Sequence, residues 1–236
     1  MTRNIEFTDG DTRYGGIVFD RGQPHTVLAL PDWRGFQTDY ARRRGTELSA
    51  SLNCNVVVSD LYGLTYRPAA YSGDAELWIS RALGDPLALR DRLTRYFTAL
   101  GQEIGGGPGG ISVVGYCLGG ALAFEAGRAG IGLKTVVSVH GIPSTSATIA
   151  PGDTSTTFVA IHGGSDPIIG MDQLAAFQRE MTAAGVDWVS IALGHARHGF
   201  TNEEIDPHGK FQRFDPVAAR RSLDVLKLYL SGENAP

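Results

Sequence analysis

The segment 111–124, ISVVGYCLGGALAF, constrains this chain more than any other. An apolar run rich in Val and Ile enters Gly115-Tyr116-Cys117-Leu118-Gly119, and a helical pattern rich in Ala and Gly follows. A nucleophile on so tight a strand-to-helix turn has a strained backbone, and side chains two residues before and after it would collide with neighbouring main chain. Gly115 and Gly119 remove those side chains, and Gly120 and Ala121 let the helix approach the sheet. The helix N-terminus then points free N–H groups and the positive end of its dipole at the sulfur, which favours thiolate. Taken alone, G-x-C-x-G also fits a buried cysteine that opens an ordinary core helix, because Gly is common here, at 31 residues.

The rest of the chain supplies the context. Short apolar runs lie at 25–30, 55–60, 111–116, 134–140, 157–164 and 187–193, as parallel strands buried on both faces require. Helical patterns at about 38–52, 85–101, 117–129, 171–184 and 216–231 alternate with them. Two earlier runs, RNIEF and TRYGGIVFD, are separated only by the turn residues Asp9 and Gly10, which predicts an antiparallel N-terminal edge. GQEIGGGPGG (101–110) reads as a flexible surface loop, since no Lys-Ser/Thr pair closes it as a phosphate loop would. The 236 residues suit one domain over 1–236, with a mostly parallel central sheet and helices on both faces.

Composition excludes several classes. Net charge is −4 with both signs dispersed, and the basic run YARRRG (40–45) reads as a solvated helix face, so neither nucleic acid nor an acidic membrane surface is expected as a partner. The first residues carry no apolar stretch of signal-peptide length, and no window approaches the roughly 18 apolar residues of a membrane span. Two cysteines do not make a disulfide framework, and the expectation is a cytoplasmic protein without metal or cofactor. Cys54 precedes its strand at the end opposite Cys117, about 16 Å away at roughly 3.3 Å per residue. It is therefore read as a small core residue and not as a disulfide partner.

In folds with this elbow, the acid and then the histidine follow the nucleophile along the chain. TTFVAIHGGSDPI places Asp166 just past a strand, and GHARHGFTN offers His195 and His198. His198, before Gly199-Phe200, suits a base that must turn back toward the sulfur. Elbow, acid and histidine on alternating elements predict an α/β-hydrolase fold with Cys117, His198 and Asp166 as the triad. The oxyanion donors are expected at the N–H groups of Leu118 and of Trp33, the latter in the loop LPDWRGF. Asp32 either holds the thiol proton or caps the nearby helix, and both readings stay open. His140 and His162, at strand ends, either line the pocket or pack within loops. His25 and His208 read as structural or solvated. Tyr116, Phe36, Tyr71, Trp78, Phe200 and Asn202 are the expected substrate-binding residues, with Tyr66 among the other aromatics expected around the site.

The blocks VGYCLGGALAF (114–124), VVSDLYG (57–63), HGGSDPI (162–168) and HARHGFTN (195–202) resemble the dienelactone hydrolases (carboxymethylenebutenolidases) over nearly the whole chain. The resemblance implies the same triad and an acid at Asp32, where the family carries Glu. It also implies a substrate carboxylate held by arginines and a tyrosine. Here the position four residues past the catalytic histidine is Asn202, and the stretch before ELW (76–78) offers Tyr71 and Ala75 without a matching Arg. Arg67 and Arg81 lie nearby, but a bidentate clamp is position-sensitive. This reading points to a neutral, apolar small-molecule acyl substrate. The expected activity is ester, lactone or thioester hydrolysis through an acyl-thioester, by a monomer or homodimer. The same triad would also serve an acyltransferase or cyclase. A retired hydrolase that only binds is the third reading, and the intact triad argues against it.

Overall fold

Alternate residues of the central strands feed two separate apolar layers, which is why those strands are apolar throughout. The computed structural model describes residues 1–65, 67, 68 and 74–231. Its strands are β1 (Thr2–Asp9), β2 (Thr12–Phe19), β3 (Thr26–Leu30), β4 (Asn55–Ser59), β5 (Ile111–Tyr116), β6 (Thr135–Val139), β7 (Thr157–Gly163) and β8 (Trp188–Leu193). They form one sheet in the order β1-β2-β4-β3-β5-β6-β7-β8. β1 and β2 pair antiparallel, as do β2 and β4, and the remaining pairs are parallel. This is the α/β-hydrolase fold with the antiparallel N-terminal edge expected from the Asp9-Gly10 turn.

The helices are α1 (Asp39–Leu52), α2 (Ala75–Leu83), α3 (Pro86–Ile104), α4 (Leu118–Arg128), α5 (Met171–Ala184) and α6 (Pro216–Leu230). Val113, Val136 and Phe158 face the layer under α3, α4 and α5, with Phe97, Phe124 and Phe177. Their neighbours Val114, Val137 and Val159 face the layer under α1 and α6, with Leu48, Leu226 and Leu230. Among the described residues, no helix is long and apolar enough to cross a membrane.

Two details differ from the sequence reading. α3 runs on to Ile104 and ends at Gly105, with φ of 78°, and a 3-10 turn at Pro108–Gly110 leads into β5, so little of 101–110 is irregular loop. Ile104 packs against the core and extends the helix by that contact. A separate helix, α2, covers the ELW segment. Asp74 caps its start, Gly84 ends it, and Asp85 with Pro86 opens α3 at once.

The parallel register brings the carboxyl ends of β3, β5, β6, β7 and β8 to one edge of the sheet. Leu30 pairs with Gly115, Tyr116 with Val139, and Gly163 with Leu193. The loops that follow these residues carry Asp32, Arg34, Cys117, His140, Asp166 and His198 of the site below.

Candidate active site

Cys117 stands between β5 and α4 at φ 55°, ψ −116°, a conformation costly for a residue with a Cβ. The glycines around it are obligatory. A Cβ on Gly115 would overlap the Gly119 carbonyl, and one on Gly119 would overlap the Leu30 carbonyl. Gly119 N–H donates to the Pro31 carbonyl at 3.1 Å, which ties the elbow to the loop after β3. Trp33 lies on that loop, and Tyr62 Oη donates to its carbonyl at 2.8 Å. Among the described residues, the Leu118 and Trp33 N–H groups enter no turn or loop hydrogen bond.

His198 Nε2 lies 3.2 Å from Cys117 Sγ, and its Nδ1 lies 2.9 Å from Asp166 Oδ2. The other carboxylate oxygen of Asp166 accepts from the N–H groups of Ile168 at 2.8 Å and Ile169 at 3.0 Å. Ser165 N–H donates to the Ala196 carbonyl, so the acid loop and the histidine loop are fastened together. Burial works against charge on Asp166, but His198 and the two amides hold its carboxyl below the usual range. Burial likewise opposes charge on His198, yet the Cys117 sulfur and Asp166 push its pKa up to about 10. An imidazole bridging sulfur and carboxylate in this way can carry a proton away from the thiol and return it to a leaving group.

A cavity of about 260 Å³ opens over the sulfur. Of the expected substrate-binding residues, Asn202 is on its wall. Tyr116, Phe36 and Phe200 are instead buried in the α1–α6 layer. Phe36 lies under the Arg67 guanidinium, and Phe200 packs edge-on against His140. Trp78, on α2, packs edge-on against Tyr62. Tyr66 and Tyr71 lie outside the described residues. His195 is exposed, and its carbonyl accepts from Arg213. His162 donates to the Ile169 carbonyl at 2.9 Å and so braces the Asp166 loop.

His140 does reach the cavity, at φ 43° and only 2% exposed. Its Nε2 is hydrogen-bonded to Thr201 Oγ1, which is also bonded to the Tyr40 hydroxyl. Burial and the nearby His198 keep this imidazole well below the ordinary histidine range, and therefore neutral.

Asp32 lines the cavity, but its carboxylate accepts from the backbone N–H, Nε and Nη2 of Arg34 at 3.0, 3.1 and 2.6 Å. The cap of α1 is Thr38. Arg34 also lines the cavity and pairs through Nη1 with Glu204 at 2.9 Å. Burial works against its charge, and Asp32 and Glu204 more than restore it. Sequence reasoning passed over Arg34, Tyr40 and Glu204. Arg34 adjoins Trp33 in a loop already singled out, and that was the available signal. Arg67 is instead paired with Asp60, and Arg81 lies over the Trp78 ring. Among the described residues, no cluster of three or more His, Cys, Asp or Glu could hold a metal ion.

The sequence matches the dienelactone hydrolase family over residues 16–230. A solved dienelactone hydrolase-like promiscuous phosphotriesterase from metagenomic libraries is 26% identical, with a TM-score of 0.84 over 100% of this chain and 99% of that one. A second structure, m3DLH, is 25% identical, with a TM-score of 0.83 over 100% of this chain and 99% of its own. An uncharacterized protein of Caenorhabditis elegans is 32% identical over 127 residues, which is 50% of this chain and 78% of that protein.

Proposed function

This chain belongs to the dienelactone hydrolase family and is an ester-bond hydrolase, and on that premise we propose that it cleaves neutral carboxylic esters, lactones or thioesters through a covalent acyl-thioester on Cys117. The observation that carries the reading is the continuous Sγ–imidazole–carboxylate chain whose sulfur and imidazole line the cavity. The Cys117 thiolate adds to the carbonyl carbon, and the carbonyl π pair moves onto oxygen. The Leu118 and Trp33 N–H groups are the donors for that oxyanion. The intermediate collapses, the carbon–leaving-group bond breaks, and protonated His198 gives its Nε2 proton to the departing oxygen or sulfur. Neutral His198 then takes a proton from water as the hydroxyl adds to the thioester. Collapse releases the carboxylic acid and restores the thiolate beside protonated His198. Asp166 holds the Nδ1 proton throughout and does not itself become protonated.

The test is acid-quenched mass spectrometry of the intact protein during turnover of an activated ester. A mass increase equal to the acyl group, mapped to the peptide of Cys117, is expected. Cys117→Ala should lose that adduct and about a thousandfold or more in kcat. Turnover with no adduct, together with activity retained in Cys117→Ala, refutes the reading. A substrate panel of esters, lactones and thioesters should also include a phosphotriester, the class named for the relative at 26% identity.

A further inference from the structure

The cavity contains an arginine that is already answered by two carboxylates. Arg34 is the one Arg or Lys on the wall among the described residues, and it is 8% exposed. Its Nε and Nη2 face Asp32, and its Nη1 faces Glu204 at 2.9 Å. The two carboxylates differ in what else they do. Asp32 sits two residues from Arg34 and also accepts the Arg34 backbone N–H, so it shapes the turn. Glu204 arrives from 170 residues away, on the loop that carries His198. Its own N–H is satisfied by Asn202 Oδ1 at 3.0 Å, and its second oxygen is drawn toward Arg43 on the exposed face of α1. The Glu204 side chain is 24% exposed, against 10% for Asp32. Of the two, Glu204 is the carboxylate that the local backbone can do without.

We propose that Glu204 is a specificity-determining residue: it occupies Arg34 as a built-in anion and thereby excludes acyl substrates that carry their own carboxylate. This rests on the hydrolase reading above and assigns its preference for neutral acyl groups to a named residue. Between them, Asp32 and Glu204 take up the Nε, Nη1 and Nη2 of Arg34, and Arg43 holds Glu204 from the outer side. A substrate carboxylate entering this cavity must displace Glu204 to reach the guanidinium. A neutral acyl group does not meet this obstacle. Charge-assisted hydrogen bonds to a guanidinium are strong enough for this occupancy to govern selectivity.

The experiment compares two aryl esters with one leaving group: the mono-aryl ester of succinic acid, and the same compound with its free carboxylate methylated. Wild type should favour the methylated compound in kcat/KM. Glu204→Gln should move the ratio toward the free carboxylate by roughly ten- to a hundredfold, and added salt should shrink the shift. The double variant Glu204→Gln with Arg34→Gln should lose it. Succinate binding measured by calorimetry needs no turnover: it should be stronger in Glu204→Gln than in wild type. Glu204→Asp, with a shorter reach, gives an intermediate shift and serves if the Gln variant is unstable by thermal melt. A structural ion pair alone would change melting and leave the ratio fixed. If wild type cleaves neither ester, the hydrolase reading fails while succinate binding still decides the role of Glu204. If both esters are cleaved, the ratio is unmoved in every Glu204 variant, and succinate binding is unchanged, this proposal is overturned.

Discussion

Asp166→Asn tests the part of the site that geometry specifies most tightly. The Asp166 oxygen facing away from His198 accepts two amide hydrogens, from Ile168 at 2.8 Å and Ile169 at 3.0 Å. An asparagine must keep its carbonyl oxygen there, because turning its NH₂ toward two N–H donors would forfeit both bonds at about 1 kcal/mol each or more. The NH₂ then faces His198 Nδ1, where the carboxylate stood at 2.9 Å. Nδ1 must become an acceptor, the ring proton moves to Nε2, and Nε2 can no longer take a proton from sulfur. Loss of a charge-assisted bond alone, at about 1.5–3 kcal/mol, predicts a fall of roughly ten- to a hundredfold. The wrong tautomer brings the expected loss in kcat to about four orders of magnitude. The pH profile provides an independent check. His198 is raised to about 10, so its charged form persists below that value and is lost as pH rises through it. With the general acid gone above that point, the alkaline limb of kcat/KM in wild type should fall near pH 10, as a property of the coupled Cys117–His198 pair. Two of the influences that raise His198 come from Asp166, so the limb should move to lower pH in the variant. Steady-state kinetics from pH 5 to 11, with melting curves to verify folding, would decide. A loss under tenfold with an unmoved alkaline limb would refute the assigned role of Asp166.

Three further outcomes are expected. His198→Ala should be as damaging as Cys117→Ala in kcat, whereas exposed His195→Ala should stay within about threefold of wild type; the reverse ranking in a hydrolysis assay would exchange the two histidines. Cys54 is buried, and burial pushes its thiol up to about 12, so iodoacetamide at pH 8 should label Cys117 and spare Cys54 in the native protein. Peptide mapping checks this, and prompt labelling of Cys54 would contradict it. Gly119→Ala places a methyl group on the Leu30 carbonyl, and denaturant unfolding should show a loss of about 3 kcal/mol or more, or no folded protein; a loss under about 1 kcal/mol would mean that the elbow is looser than described.

What the sequence determined by itself is whatever local rules impose. Strand placement follows from apolar runs buried on both faces. The antiparallel edge follows from a turn too short for a crossover. The position of Cys117 follows from glycines that no other residue can replace at two backbone contacts. Chain order then singled out Asp166 and His198, and the parallel register brings their loops to the same sheet edge as the elbow. The cavity wall obeys no such rule. Phe36, Tyr116 and Phe200 are as aromatic as any wall residue, and only the packing of α1 and α6 decides that they lie in the core. The end of α3 was misplaced because Ile104 is held in the helix by tertiary contact and not by its own propensity. Only the fold removes the helix-cap reading of Asp32, since Thr38 caps α1 and the Asp32 carboxylate accepts from Arg34. The pairing of Arg34 with Glu204 joins residues 170 apart and has no signature in either neighbourhood. Charge at the wall depends on which side chains the fold brings within about 3 Å, because Coulomb attraction acts through space while sequence patterns record only neighbours along the chain.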